Sequence, residues 1–296
     1  MNSGIRLLFC LFFLPFLAGA QQTFSDLLYV SEVQDDALQR LNLVMPEGVE
    51  NPPLLIWIGG GAWSYGDRNV EMKLAQALAK EGIAVASVGH RLSPAVWRDP
   101  ALKTGVQHPA HAEDVAAAVK WLVDHVSDYG YDINKFFIGG YSSGAHLASL
   151  ISLDPRYLSK HGLSTDLFKG VLPLSGTFDI PHYRQILKTG GRPELAEEHV
   201  DAVFGVDSIA QVAASPMSYL ENLSAPVLLL CDNDLYRYTR HLEDALRETE
   251  FRKVEVVYAY EFGHGALWRD LSGEGESKYR NIMIDFIKAN SYHPEG

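Results

Sequence analysis

Cysteine is nearly missing from this 296-residue chain, which has only Cys10 and Cys231. Cys10 lies in an N-terminal segment that reads as removable, which leaves Cys231 alone. An intramolecular disulfide is then excluded, and the fold must rest on its core even in an oxidising compartment. Cys231 follows the apolar run Val227-Leu228-Leu229-Leu230, as a buried strand end does. Positive charge is also scarce, with 25 Lys and Arg against 37 Asp and Glu and a net charge of −12. That balance argues against a nucleic-acid or anionic-membrane partner. Internal repeats and low-complexity linkers are lacking, and the length suits one large domain with a sizeable core. The hydrophobic share of 47% and charged share of 21% are those of an ordinary soluble globular protein.

Beyond the first twenty residues there is no long apolar run. Within them, Arg6 precedes a nearly unbroken apolar stretch over residues 7–17, and Ala18-Gly19-Ala20 fits the small-residue pattern of a signal-peptidase site. The stretch is short for a membrane span. Cleavage after Ala20 is expected, giving a signal peptide over 1–20, a single domain over 21–296 and a secreted or periplasmic product without stable membrane association. No cysteine follows the small residues, so lipoprotein attachment is not indicated.

From residue 25 onward, strand-length apolar segments alternate with helical patterns. Residues 27–30 and 41–44 read as two leading antiparallel strands. Residues 54–58 form a continuous apolar run between Pro53 and Gly59, as a fully buried parallel strand requires. A helical stretch over 70–80 and a strand over 83–88 follow. In 110–126, Val115, Val119, Leu122 and Val126 form one apolar stripe, the best helix of the chain. Further strands are read at 135–139, 170–174, 227–231 and 254–260, with helices at 239–249 and 278–289. The alternation predicts an α/β fold, a mostly parallel central sheet with helices on both faces. Residues 177–225 exceed what one crossover needs and read as a small helical insertion that covers the sheet or forms part of a lid.

Gly140-Tyr141-Ser142-Ser143-Gly144 is the most informative stretch. An apolar, aromatic segment precedes it and a helical pattern, Ala145-His146-Leu147-Ala148-Ser149-Leu150, follows. A serine on a sharp strand-to-helix turn projects its hydroxyl from the sheet edge, and the helix N-terminus offers N–H groups to a developing oxyanion. The flanking glycines are needed where a side chain would collide with neighbouring backbone. A serine nucleophile needs a base and a carboxylate to orient that base. His264, in a loop after the last strand, is the best base. His241 reads as helical surface, His293 as tail, and His146 as packed within its own helix. Asp234 is favoured as the acid because it stands on the loop proper after the strand ending at Cys231; Asp232 and Asp179 remain open. Oxyanion donors are expected from Ser143 and from Gly60 and Gly61 in the Gly59-Gly60-Gly61-Ala62-Trp63 loop. Trp63, Phe178 and Tyr236, with Trp97 and Trp268, are candidates for lining a substrate pocket, with core packing as the alternative for each. His108, His111 and Glu113 straddle Pro109 with no further partner, so no metal site is assigned, and no cofactor is expected.

Taken together, these stretches resemble the esterase/lipase branch of the α/β-hydrolase superfamily, including its feruloyl and acetyl xylan esterase-like and arylformamidase-like members. The resemblance rests on Trp57 to Trp63 with Gly66-Asp67, on His90-Arg91-Leu92-Ser93-Pro94, on Glu113-Asp114, on Gly139 to His146, on Ser175 to Asp179 and on His264, spanning about residues 25 to 290. It implies the α/β-hydrolase fold, an acid at the position of Asp234, and oxyanion donors at Gly60, Gly61 and Ser143. Many relatives head the glycine loop with histidine where this chain has Gly59, which bears on how rigidly the loop is held. The expected activity is that of a serine carboxylic-ester hydrolase acting on a small or short-acyl ester, with carbohydrate-linked esters among the candidates. The alternatives are an amide or formamide hydrolase and, from another class, a catalytically silent binding protein. Oligomeric state is left open.

Overall fold

The apolar run at 54–58 is continuous because both of its faces are covered. In the computed structural model, which describes residues 21–191 and 193–291, it forms strand β3 (Leu54–Ile58), with every residue buried. Leu54, Ile56 and Ile58 enter one apolar core, while Leu55 and Trp57 enter a second core on the opposite face. The leader-like residues 1–20, with Cys10 and the expected cleavage site, lie outside the described residues, as does His293.

Among the described residues, eight strands form one sheet in the order β1-β2-β4-β3-β5-β6-β7-β8. The leading strands β1 (Gln22–Leu28) and β2 (Arg40–Met45) are antiparallel, and β2 pairs antiparallel with β4 (Ala84–Val88). From there β3, β5 (Phe136–Tyr141), β6 (Phe168–Leu174), β7 (Val227–Asp232) and β8 (Val254–Ala259) run parallel. Strand β1 starts earlier than its apolar residues suggest because it is a largely exposed edge, paired on one side only.

Helices cover both faces. On the first lie α2 (Ala110–Asp124) and α3 (Ser143–Leu153), whose Val115, Val119, Leu122, Leu147 and Ile151 join the Leu54 core. On the second lie α1 (Met72–Lys80), α6 (His264–Ser272) and α7 (Lys278–Ser291). Two further helices, α4 (Ile180–Thr189) and α5 (Tyr236–Glu248), complete the longer ones among the described residues. The expected helix over 110–126 stops at Asp124, and Val126–Tyr129 forms a separate turn ended by left-handed Gly130. The sharpest departure concerns 261–265. His264 opens α6 rather than riding a flexible loop.

Between α4 and β7, the chain folds into short helical turns, including Ser208–Ala213 and Pro216–Asn222. Ala196, Val200, Val203, Phe204 and Ala214 of this segment are buried in the Leu54 core. Cys231 is buried within β7, and burial pushes its thiol up to about 12.

Ile138 sits at the middle of β5, fully buried and paired with Ile56 and Val171. Ile138→Ala is expected to cost about 2–5 kcal/mol, from lost transfer energy plus the cavity left between packed layers. In urea denaturation followed by circular dichroism, the midpoint should fall with an unchanged slope.

Candidate active site

The turn that carries Ser142 is built from close backbone approaches. β5 ends at Tyr141 and α3 begins at Ser143, so Ser142 alone reverses the chain, with φ 57° and ψ −119°. That conformation is sparsely populated for a residue with a Cβ and costs on the order of 1–3 kcal/mol. A Cβ added at Gly140 would lie 2.5 Å from the Gly144 carbonyl carbon, and one at Gly144 only 2.0 Å from the Ile58 carbonyl oxygen. Both motif glycines are therefore obligatory. The turn is tied to the sheet by Ser142 N–H donating to the Leu174 carbonyl at 2.9 Å.

The glycine loop after β3 comes to the same spot. A Cβ at Gly60 would lie 3.1 Å from Ser142 Cβ, so the loop backbone runs against the serine. Gly61, Ala62 and Trp63 have φ of 138°, 47° and 57°. At Gly61 a side chain would strike the Gly66 nitrogen at 2.4 Å. The loop is closed by Ser64 and Tyr65 N–H groups, both donating to the Gly61 carbonyl, and by Ser93 N–H donating to Trp63 O at 2.9 Å. Ser143 is the first residue of α3, where backbone N–H groups have no partner within the helix.

The imidazole of His264 is held by Asp232, with 2.8 Å between Nδ1 and Oδ2. This corrects the placement expected for Asp234. The strand β7 continues through Asp232, so the residue at its end, and not the loop residue two positions on, faces the histidine. The Asp232 side chain is fully buried, and its other oxygen accepts the N–H groups of Asp234 and Leu235 at 2.8 and 3.0 Å. Burial alone would push this carboxyl up. Hydrogen bonds from His264 and Ser175 outweigh it and hold the group below the usual aspartate range. Asp234 instead accepts the backbone N–H of His264 at 2.7 Å, capping α6 from a different loop. The third acid considered, Asp179, N-caps α4 and faces His241 at 3.1 Å.

Tyr141, the variable residue of the serine motif, is a member of the site that the sequence reading passed over. Its ring stacks on that of His264 with centroids 4.8 Å apart, and its hydroxyl donates to the His264 carbonyl at 2.6 Å. The same hydroxyl lies 3.3 Å from Asp232 Oδ2. Burial, reinforced by the Asp232 charge, raises its ionisation far above the ordinary phenol value.

Ser142, His264, Gly60 and Gly61 line one cavity of about 350 Å³, with Tyr141, Val70 and Trp268 supplying walls. Tyr65 and Arg98 form the rim, the guanidinium stacked 4.1 Å over the tyrosine ring. Glu71, also unremarked in the sequence because an acid at a helix start is commonplace, lies in the same lining. The size suits a small organic ligand.

Of the aromatic candidates, Trp268 lines this cavity, and the expectations for Trp63, Phe178 and Tyr236 are corrected. Trp63 and Phe178 are core residues, 2% and 1% exposed, and neither lines this cavity. Tyr236 packs against Tyr258 and Tyr260, away from it. For Trp63 and Phe178, burial of the ring is the stronger demand. Among the described residues, none from 177–225 lines the cavity either. The other motif residues are committed to protein partners. Arg91 and Asp114 form a forked ion pair that Gln39 also joins, His108 meets Tyr157, His111 meets Ser93, and Glu113 meets Lys160.

Comparison with known proteins places this geometry in context. The BD-FAE family model matches residues 41–234. A probable carboxylic ester hydrolase of Mycobacterium tuberculosis, LipM, is 28% identical over 250 residues, covering 81% of this chain and 54% of LipM. Esterase LipQ of the same organism is 29% identical, covering 60% of this chain and 41% of LipQ. The chain thus spans about half the length, or less, of these curated relatives. Among solved structures, inhibited esterase B from Lactobacillus rhamnosis superposes with a TM-score of 0.75 at 21% identity, over 92% of this chain and 87% of that one. The shared architecture is the α/β-hydrolase fold.

Because the folded-state pKa of Asp232 lies below the ordinary 3.8, its contribution to stability is complete above that value. It is lost as pH falls through the folded one. Asp232→Asn should therefore lower the urea midpoint near neutral pH, and the gap from wild type should close below about pH 3.8. A gap that stays constant through the acid range would contradict the bonding described for this carboxylate.

Proposed function

This chain belongs to the BD-FAE family, in the esterase/lipase branch of the α/β-hydrolases, and we propose that it is a serine-dependent hydrolase of carboxylic esters. The observation that carries the reading is the convergence, on one cavity, of Ser142 on its strained turn, the Asp232-held His264 and the glycine loop. The names of the relatives, which are esterases and carboxylic ester hydrolases, support it.

In this reading Ser142 Oγ attacks the substrate carbonyl carbon while His264 Nε2 takes the hydroxyl proton. With Nδ1 bonded to Asp232, the ring presents Nε2 as its basic nitrogen, and the buried carboxylate stabilises the imidazolium. Negative charge passes to the carbonyl oxygen, held by N–H groups of Ser143, Gly60 and Gly61. A single such donor is worth about 3–4 kcal/mol of transition-state stabilisation. As the tetrahedral species collapses, the C–O bond breaks and His264 returns the proton to the departing alcohol. Water, deprotonated by His264, then attacks the acyl-serine. A second collapse frees the carboxylic acid and restores Ser142. The roughly 350 Å³ cavity favours a compact acyl or aryl ester.

A fluorophosphonate probe should label the wild type and leave Ser142→Ala unlabelled; equal labelling of both would sink the assignment. Across short aryl esters, acetylated sugars, feruloyl esters and formyl-anilines, at least one ester should be turned over by wild type and not by Ser142→Ala. Preference for the formyl-anilines would redirect the reading to amide hydrolysis.

The two acids separate on the same substrate. Asp232→Asn should lower kcat by about 10³–10⁴, since it leaves the imidazole in the wrong tautomer. Asp234→Asn keeps an acceptor for the His264 N–H and gives up only a negative charge at the start of α6, worth about 0.3–1 kcal/mol of stability, and should keep kcat within roughly tenfold. A reversed order would return the acid role to Asp234.

The mature enzyme is proposed to act outside the cytoplasm, on the strength of the leader-like run ending at Ala20. N-terminal sequencing of the exported protein should begin at Gln21. A product that keeps residues 1–20 and stays in the cytoplasm would refute this.

A further inference from the structure

Gly59 heads the oxyanion loop without a side chain, and the space beside it is filled from elsewhere. A Cβ at Gly59 would lie 2.5 Å from Glu71 Oε1, 2.8 Å from its Cδ and 3.0 Å from its Cγ. The Glu71 carboxyl therefore lies close against the loop's first residue. It is 4% exposed, although it also reaches the lining of the Ser142 cavity. Its other oxygen accepts the indole N–H of Trp57 at 2.7 Å, and Trp57 is itself buried in β3, two residues before Gly59. One end of this carboxyl is thus fastened to the strand that launches the loop, and the other end presses on the loop itself. The buried Trp57 indole N–H needs an acceptor here, but a neutral amide or hydroxyl would supply one, so neither the proposed mechanism nor the fold's core requires an ionisable group.

We propose that Glu71 is a positioning residue for the oxyanion loop, setting the place of Gly59-Gly60-Gly61 against Ser142 in the role that a loop-heading side chain would otherwise fill. The inference rests on the esterase reading above. The chemistry of the site determines the form in which Glu71 can act. Burial raises its pKa from 4.5 to about 8, with the Trp57 hydrogen bond opposing the rise and the negative charge of Asp67 adding to it. The groups around it are Trp57 from β3 and Asp67 from the loop, with His264 and Arg98 in the lining of the same cavity. At neutral pH the carboxyl is mostly uncharged and can rest against the Gly59 Cα without a counter-charge. Once ionised, it must draw in water or move, and the loop it braces moves with it.

The test compares kcat and KM for one ester in wild type, Glu71→Ala and Glu71→Gln across about pH 6 to pH 10, with circular dichroism checking the fold of each. Glu71→Ala should lose about tenfold or more in kcat near pH 7 with KM changed less than about threefold, because a displaced donor weakens the transition state and not ground-state binding. Glu71→Gln mimics the uncharged acid, so it should rescue kcat near pH 7. Wild-type kcat should fall about tenfold above pH 8, and Glu71→Gln should not share that fall. Should Glu71→Ala fail to fold, the two alkaline limbs decide alone. Coincident limbs in wild type and Glu71→Gln, or an undiminished kcat in folded Glu71→Ala, would overturn the role. Those results would leave the esterase reading standing, whereas a wild type inert on every ester would remove that reading and this one together.

Discussion

Everything at this site depends on how close the end of β3 can come to the first turn of α3. The carbonyl of Ile58 occupies the place where a Cβ of residue 144 would be, at 2.0 Å. The glycine loop leaves β3 directly after that contact, so backbone packing fixes where it starts relative to Ser142 before any side chain adds to its hold. Loops held only by side-chain contacts can drift, and a displacement of about 1 Å in a reacting group can cost on the order of a hundredfold in rate. Here the approach is as tight as the chain permits. The strain at Ser142, on the order of 1–3 kcal/mol, is sustained by the sheet and the helix on either side of it.

From that contact the arrangement extends along the sheet edge in the order of the strands. β3 supplies the loop, β5 the serine and Tyr141, β6 the Ser175 hydroxyl that meets Asp232 N–H, and β7 the aspartate. His264 alone comes from beyond the last strand, and it is held at three points. Asp232 takes its ring nitrogen, Tyr141 stacks beneath the ring and bonds its carbonyl, and Asp234 takes its amide. Each hydrogen bond contributes about 0.5–1.5 kcal/mol, and those to charged groups contribute more. Together they set the ring's direction, which one bond could not.

The sequence makes some of this legible and hides the rest for definite reasons. The serine turn can be read because tight backbone geometry demands glycine at fixed offsets, and glycine is visible as a letter. The parallel strands can be read because burial on both faces requires unbroken apolar runs, as in Leu54–Ile58. Asp232 and Asp234 are different. Both are aspartates at a strand end, and only the exact end of β7 decides which faces the histidine. The helix opening at His264 is concealed because its N-cap is Gly263, which has no side chain to act as a cap. The carboxylate that caps it comes from Asp234, thirty residues earlier in the chain. Trp63 and Phe178 mislead for a simpler reason: an aromatic ring near an active-site motif is as useful to the core as to a ligand.

The insertion between β6 and β7 also acts on the site, though by bracing and not by lining. His146 of α3 sits fully buried between Trp63 and Ala214. The Trp63 indole N–H donates to its Nδ1 at 3.2 Å, and its Nε2–H donates to the Ala214 carbonyl at 2.8 Å. Both bonds form together only on a neutral ring with its proton on Nε2. Burial enforces that state by pushing the pKa down to about 3, against the raising effect of the Ala214 bond. One imidazole therefore joins the glycine loop, the serine helix and the insertion. Phe204 of the insertion packs edge-on against both Trp63 and His146 and closes the joint. The far end of the glycine loop is thus held by the insertion, while its near end is held by β3 and Glu71. A change in the packing of 177–225 would reach Ser142 through Trp63, although none of the described residues of that segment lines the cavity.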